Sequence, residues 1–548
     1  MNAALRPNMP ARNALLLGGI GASGAAALIY EVVWQRVLSN TVGGSVYSLS
    51  ILLAAFMAGL AIGGRWGGRH LREQADHVKI FGLIQLALGV CGVAVYGLIN
   101  NLSPVYAGMF YSLHDSFGIF TVAQMALLFM VLVIPTTLMG ATFPIVVAAW
   151  SLRQEEIGVT AGDVYSINTW GAVVGSLVAG FILIPLAGLQ IANICAVAVN
   201  LVLAVLAFAI SGTRRLAVFA LAALALLPSV ALIENPGGIS FSYANADHFA
   251  SYDEYKSINT NLTSLFNKEG AYGRVQVFET RPPRPGTRPI KMLLNGARFE
   301  GSTGTDIMSM QTLAYLPLAI HKKPTSILNI GLGTGATLAA VKEDRRVKYL
   351  EVVEINPMIF EAVEEAFYPG LFKEKRMSRI SDDARHYLTN TPKKFDIIIS
   401  QPSYPTRKST AHLFTREFYD IARNKLHKDG VFAQWLPSYL LSNKDGLTAI
   451  KTLRAVFPRT YVWQHGATDM FLIGLTSGQE LDPTEIGARV KAYNSSAAEG
   501  LMFGSGPDRI AELTNDRALP INTDDLPYIE FSSARNKVTG VRGTAPKD

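Results

Sequence analysis

The chain is poor in charge and in cysteine, which an ordinary enzyme of its size would use more freely. Only 17% of its 548 residues are Asp, Glu, Lys or Arg, against roughly 25% in a typical soluble domain. Its two cysteines, Cys91 and Cys195, both fall in apolar stretches. That excludes a disulfide framework and leaves the redox compartment open. The histidines show no metal-ligand spacing, and His321 and His412 stand alone, so no metal is expected. The net charge of +7 comes without a basic stripe interleaved with aromatics, and nucleic acid is not an expected partner. What the chain has instead is apolar length. Its mean hydropathy is +0.25, with the excess before residue 235. Two or three domains are expected at this size.

Seven stretches are long and apolar enough to span a bilayer: about 13–30, 46–64, 80–99, 121–149, 164–187, 190–211 and 215–233. The fourth carries Pro135 and Pro144, which predict a kink or a partly interfacial segment. Gly59, Gly63 and Gly67 recur every fourth residue, as do Gly171 and Gly175, giving small faces for close helix packing. Arg6 and Arg12, then Arg65, Arg69, Arg72 and Lys79, then Arg153, then Arg214 and Arg215 fall on one side of the alternation. The other side has only Arg36. The positive-inside rule puts the N-terminus in the cytoplasm. Seven spans then carry everything after residue 235 to the outer face, and one span fewer would return it to the cytosol. Glu31 and Arg36 flank Trp34 at the end of the first span, where an interfacial ion pair with an aromatic anchor is expected.

Residues 236–268 are polar and without clear periodicity, and read as a linker or a cover over a substrate. A small β-domain is expected over 269–320, from β-type runs at Gly273–Thr280 and Ile290–Gly296 with a proline-rich turn between them. From 321 to 548, apolar strands alternate with helical stretches. Ser326–Ile330, Tyr349–Val353, Phe395–Ser400 and Gly430–Trp435 are the clearest strands. This predicts a Rossmann-like α/β domain with a mainly parallel sheet. Ligands of such sheets bind beyond the carboxyl ends of the strands, which directs attention to Gly331–Gly335, Glu354, Asp382 and Asp383, and the loop 401–405. Gly331, Gly333 and Gly335 let the backbone approach a ligand. Glu354 follows Gly333 by 21 residues, where an acid can hold ribose hydroxyls. A nucleoside site is therefore expected.

Taken together, these segments resemble the spermidine synthase family, in its bacterial membrane-fused branch with a multi-span N-terminal domain. The resemblance rests on Tyr30-Glu-Val-Val-Trp34-Gln-Arg36, Phe56–Gly63 and Pro135–Pro144 in the apolar half. In the remainder it rests on Leu294-Asn-Gly296, Gly331–Gly335, Val353-Glu-Ile355, Asp382-Asp-Ala-Arg385, Leu413–Phe418 and Asn522-Thr-Asp-Asp525. It implies a multi-pass protein of the bacterial inner membrane, in contact with lipid and possible as a homodimer. It also implies transfer of an aminopropyl group from decarboxylated S-adenosylmethionine to an amine, releasing methylthioadenosine. By motif, Gly331, Gly333, Gly335, Glu354, Asp382 and Asp383 would hold the nucleoside, with Asp383 accepting from the adenine amino group.

The departures from the family pattern concern the acceptor. Classical members carry two aspartates in the loop after the fourth strand, one of them a base. Here that loop reads Gln401-Pro-Ser-Tyr404-Pro. The acidic segment that grips a polyamine keeps only Asp306, five residues before Gln311. A polycation needs facing carboxylates to offset its desolvation, so ordinary putrescine is not the expected acceptor. Gln401 and Tyr404 are candidates for orienting another small-molecule or membrane-associated acceptor, and Asp524 and Asp525 for replacement acids near it. Gln434 and Trp435 close a strand, where Trp435 reads as packing. Three readings stand open at this point. They are alkyl transfer from decarboxylated or intact S-adenosylmethionine, methyl transfer on the same fold, and a non-catalytic nucleoside sensor or transport-associated protein.

Overall fold

The structure is a computed structural model. It describes residues 9–532 except 43–45, 71–75, 114–115, 151–156, 232–250, 271, 281–287, 297, 404, 406–407, 439–440 and 467–468. The expected proline-rich turn at 281–287, the start of the expected linker and Tyr404 lie outside the described residues. The chain forms two compact units. One comprises 1–110, 118–242 and 269–271, and the other 111–117, 243–268 and 272–548.

The first unit is helical: α1 (Met9–Val42), α2 (Val46–His70), α3 (His77–Asn100), α4 (Ser103–Leu113, most of it in this unit), α5 (Phe117–Trp150), α6 (Ile157–Val178), α7 (Ile184–Ile210) and α8 (Arg214–Ala231). Among the described residues, five helices are long and apolar enough to cross a membrane: 15–42, 49–70, 77–100, 118–150 and 161–210. The last is 50 residues long, or about 75 Å if straight, far more than the ~30 Å of a bilayer core. It is not straight. Gly188 adopts φ 80° and ψ 174°, and the contacts on its two sides run in opposite senses along α1. Before it, Gly171 lies on Gly21 and Gly175 on Ala25. A Cβ on either glycine would come within 1.9 and 2.2 Å of those carbonyl oxygens. After it, Trp34 bonds Asn193 and Tyr30 bonds Asn200. α6 therefore runs parallel to α1, and α7 runs back.

Helices α2 and α5 meet through their glycines in the same way. A Cβ on Gly63 would lie 1.9 Å from the Thr137 carbonyl oxygen, and one on Gly140 would lie 2.2 Å from that of Leu60. Such backbone contact is how helices associate where apolar burial supplies no drive. Pro135 and Pro144 both lie inside one helical run, α5, and not at a helix end. A buried chain of neutral polar groups ties α1, α3 and α7 together. The Tyr30 hydroxyl donates to Asn200 (2.9 Å), the Asn200 amide to Gln85 (2.6 Å), and the Gln85 amide to Ser23 (3.0 Å). Trp34, expected as an interfacial anchor, is 1% exposed. Its indole N–H donates to Asn193 (3.1 Å), which donates to the Gly92 carbonyl (3.0 Å). Arg36, expected beside Glu31, instead lies 3.9 Å from Glu269.

The second unit contains helix α9 (Tyr252–Thr260) and most of strand β1 (Leu262–Gly270), so residues 251–268 form a helix and a strand where a linker was expected. β1, β2 (Gly273–Thr280), β3 (Lys291–Asn295) and β4 (Arg298–Ser302) form a four-stranded sheet in that order. After α10 (Asp306–Ile320) comes an eight-stranded sheet. Its strands are β5 (Ser326–Ile330), β6 (Tyr349–Val353), β7 (Met377–Ile380), β8 (Phe395–Ser400), β9 (Leu426–Pro437), β10 (Arg459–His465), β11 (Asp469–Leu475) and β12 (Leu501–Ser505). Their order is β12-β10-β11-β9-β8-β5-β6-β7. β5 to β9 pair in parallel and the remainder antiparallel.

The central strands are apolar without alternation because both faces are covered. Ile327, Val352, Ile397 and Ile399 pack into the core on one face. Leu328, Val353 and Ile398 pack on the other, with Phe414, Phe418 and Phe432. Helix α11 (Ala336–Glu343) follows the glycine turn.

Candidate functional site

The parallel strands place their carboxyl ends side by side, and the residues just beyond them line a cavity of about 500 Å³ within the second unit. Across the sheet these residues follow the strand order. Asp382 and Asp383 come after β7, Glu354 after β6, Gly331 and Gly333 after β5, Gln401 and Ser403 after β8, Trp435 in β9, and Asp469 at the start of β11. Glu300 on β4, Asp306 and Ser309 on α10, and Asn295 add to the polar lining, with Ser302, Thr305 and Thr410. Strands are ~4.8 Å apart, so the polar groups form a row and not a cluster.

At β5 the backbone turns sharply. Gly331 has φ 78°, and a Cβ there would lie 2.5 Å from the Gln401 carbonyl oxygen. Gly333 has φ 53° and faces the cavity. Gly335, expected with the other two, does not line it. It caps α11 with φ 85°, and a Cβ there would lie 2.8 Å from Val363, so its role is helix packing. Glu354 is 9% exposed and accepts from the backbone N–H groups of Leu332 (3.0 Å) and Asn356 (2.9 Å). Burial pushes its carboxyl up to about 7, with the Glu300 charge adding to the rise and the backbone donors opposing it. Asp383 caps the helix at Ala384–Asn390 through the N–H groups of Arg385 and His386 (both 2.9 Å). His412 Nε2 lies 3.2 Å from its carboxylate and, by that hydrogen bond, holds it below the usual range. Asp382 meets His386 at 2.7 Å.

The other end of the row holds Asp306, expected from the sequence, and two acids the sequence pattern did not single out, Asp469 and Glu300. Asp469 accepts from the Trp435 indole N–H (2.8 Å), and burial raises its carboxyl while His465 opposes the rise. Asp306 is raised by burial too, with Asp469 adding to it. Its two oxygens accept from the Ser302 N–H (2.6 Å) and hydroxyl. Glu300 accepts from the Ser403 hydroxyl (2.6 Å), which joins β4 to the loop after β8. Gln401 accepts from Thr337 (2.8 Å).

Several expected site residues lie elsewhere. Asp524 is clamped by both guanidinium nitrogens of Arg385 and by the Thr415 hydroxyl. The Arg385 bond holds it below the usual range, and it does not line the cavity. Asp525 is exposed and also outside the lining. Gln311 accepts from Asn494 (3.2 Å) and turns away from the cavity. Gln434 is fully buried, bonded to Tyr419 (2.6 Å) and the Leu413 carbonyl (3.0 Å). Its neighbour Trp435, expected as packing, lines the cavity. Among the described residues, no group of three or more His, Cys, Asp or Glu side chains is arranged to hold a metal ion.

A model of the spermine/spermidine synthase domain matches residues 307–465. A polyamine aminopropyltransferase of Thermotoga petrophila is 29% identical over 223 residues, 39% of this chain and 73% of that protein. One from Saccharolobus islandicus is 29% identical over 185 residues, 32% of this chain and 62% of that protein. A crystal structure of a spermidine synthase with the transition state analogue AdoDATO aligns with 21% identity and a TM-score of 0.39, over 46% of this chain and 88% of that one.

Proposed function

This chain belongs to the spermidine synthase family through its second unit, and from that premise we propose that it is a membrane-integrated aminopropyltransferase. Its donor is decarboxylated S-adenosylmethionine and its acceptor an amine. The observation that carries the reading is the charge of the cavity. Among the described residues its lining holds six carboxyl side chains, Glu300, Asp306, Glu354, Asp382, Asp383 and Asp469, and no Lys, Arg or His.

Decarboxylated donor and amine bring positive charge alone, a sulfonium and ammonium groups. Intact S-adenosylmethionine adds a carboxylate, and no cation among the described lining residues stands to meet it. A like-charge contact near 4 Å costs about 4 kcal/mol at an effective dielectric of 20. The same argument disfavours the methyltransferase reading, whose donor keeps that carboxylate.

The five parallel strands support a Rossmann-like description of the domain. Adenosine lies over β5 to β7, where the glycine turn, Glu354 and Asp383 stand. The reacting carbon lies near β8, and the acceptor extends toward Trp435, Asp306 and Asp469. Catalysis rests mainly on alignment, because the leaving group is already a neutral thioether in waiting. Fixing the nucleophile in line with the C–S bond is worth up to about 7–11 kcal/mol in favourable cases. With Gln401 in place of a loop aspartate, the acceptor is recognised from β11 and α10, which fits an amine other than ordinary putrescine.

The reversal at Gly188 supports counting α6 and α7 as separate spans, and with α8 this gives seven. On that count the basic loops favour a cytoplasmic N-terminus and a second unit outside the cytoplasm, and one span fewer would return that unit to the cytosol. Purified protein in detergent, given the decarboxylated and the intact donor separately with pooled amines, tests the reading by mass spectrometry. Acceptor-dependent methylthioadenosine from the decarboxylated donor is the expected product. S-adenosylhomocysteine from the intact donor would replace this reading with methyl transfer.

A further inference from the structure

An ammonium cannot attack carbon until it loses a proton, and the loop Gln401-Pro-Ser-Tyr-Pro carries no carboxyl to take it. We infer that Glu300, on β4, is the proton acceptor for the attacking amine, standing in for a base that this loop lacks. The inference rests on the transferase reading above.

Glu300 comes from the small sheet and not from the strand ends, yet it reaches the loop in question. Its Oε2 accepts from Ser403 at 2.6 Å. The nearest atom to a Cβ built on Gly333 is the Glu300 carbonyl oxygen, at 3.9 Å. Its charge is felt by Glu354. The Ser403 bond and the approach to Gly333 put it between the glycine turn after β5 and the loop after β8, where the transferase reading puts the reacting carbon.

The other lining acids are less well placed. Asp382 and Asp383 follow β7, three strands from β8, or roughly 14 Å by strand spacing. Asp469 is two strands beyond β8 on the other side, roughly 10 Å, where it suits the far cationic end of the acceptor. Asp306 has both oxygens engaged by Ser302. Glu354 is spanned by two backbone N–H groups.

The step balances as follows. The ammonium gives one proton to the Glu300 carboxylate. The freed nitrogen lone pair forms the new C–N bond, and the C–S pair passes to sulfur, leaving a neutral thioether nucleoside. The product is a secondary ammonium, and Glu300 passes its proton to solvent.

The test is Glu300→Gln in the full-length protein, read by turnover against pH and by calorimetry with methylthioadenosine. The Glu300 charge raises the Glu354 carboxyl as a like charge, so the variant should bind the nucleoside as tightly or more tightly. Turnover at pH 7 should fall at least about 100-fold, the lower range for loss of a positioned base. It should then climb about tenfold per pH unit as the amine loses its own proton to water. Glu300→Asp should recover part of the activity, and Ser403→Ala should lower it less than Glu300→Gln does. Wild-type turnover in Glu300→Gln, or a fall that no rise in pH restores, would overturn the assignment. So would loss of nucleoside binding together with turnover, because Glu300 would then be a donor contact. A wild-type protein that makes no thioether nucleoside from any amine would overturn the transferase reading and this inference with it. Activity in the wild type confines any failure to Glu300.

Discussion

The two units bury polarity in opposite ways. In the helical unit the buried groups of α1, α3 and α7 are neutral and satisfy one another: Tyr30 with Asn200, Asn200 with Gln85, Gln85 with Ser23, Trp34 with Asn193. In the second unit the cavity lining holds carboxyls and, among the described residues, no basic side chain, while His412 and His386 meet Asp383 and Asp382 from outside the lining. A neutral network closed on itself holds helices in register and has nothing left to offer a ligand. A row of acids without local cations is costly unless something positive arrives. The first arrangement is a fastening and, on the transferase reading, the second is a receptor, and substitutions should separate them.

The largest effect expected is on the cavity side. Glu354→Ala should weaken methylthioadenosine binding at least about 100-fold, or about 3 kcal/mol. Unchanged affinity in calorimetry would remove Glu354 from the nucleoside site.

Next is a pH effect on the ligand-free protein. The buried Glu354 carboxyl keeps its proton up to about 7, whereas its ordinary value is 4.5. Below pH 4.5 the group is neutral whether folded or not. As pH rises toward 7, the unfolded chain ionises first and gains. Glu354 therefore lowers stability progressively between about pH 4.5 and 7 by on the order of 2–3 kcal/mol. Thermal melts should show this slope in the wild type and its loss in Glu354→Gln. Equal slopes would mean the carboxyl is not strained by burial.

Asp469→Asn should raise the acceptor KM about 10- to 30-fold, roughly 1.4–2 kcal/mol, while nucleoside affinity stays within about twofold. A matching loss of nucleoside affinity would place Asp469 with the donor. The smallest effect belongs to the fastening. Asn193→Ala should cost about 0.6–1.7 kcal/mol of stability in detergent, the range for hydrogen bonds between membrane helices, with nucleoside binding untouched. A change in binding there would break the distinction between the two units.

What the sequence made legible was local. The glycine turn and Glu354 each sit directly after an apolar strand, so strand and cavity position are read from the same few residues, whereas Asp382 and Asp383 follow the short, half-polar strand Met377–Ile380 and are read from their motif. The glycine spacing of Gly171 and Gly175 was legible for the same reason. Gly335 shows the limit. It has the positive φ of its neighbours but turns toward Val363, and only packing distinguishes the two uses.

What escaped depends on distant pairings. Asp469 becomes a cavity residue because β11 pairs with β9, and Glu300 because a separate sheet crosses the loop at Ser403. Asp524 looked available because Arg385, its partner, is 139 residues away. Trp34 looked like an interfacial anchor because Asn193, which accepts from its indole, is 159 residues away. Strand-end position was the one signal that could have drawn attention to Asp469.

The absence of basic side chains from the described cavity lining bears on what happens after the bond is made. On the transferase reading, the carboxyls attract the donor through its sulfonium and its ammonium. Once the C–S bond breaks, the nucleoside that remains is neutral and that attraction is gone, while the added charge has left with the acceptor. On the transferase reading, a single arrangement of fixed acids both loads the enzyme and empties it. Added salt should therefore weaken donor capture while barely changing the departure of the spent nucleoside.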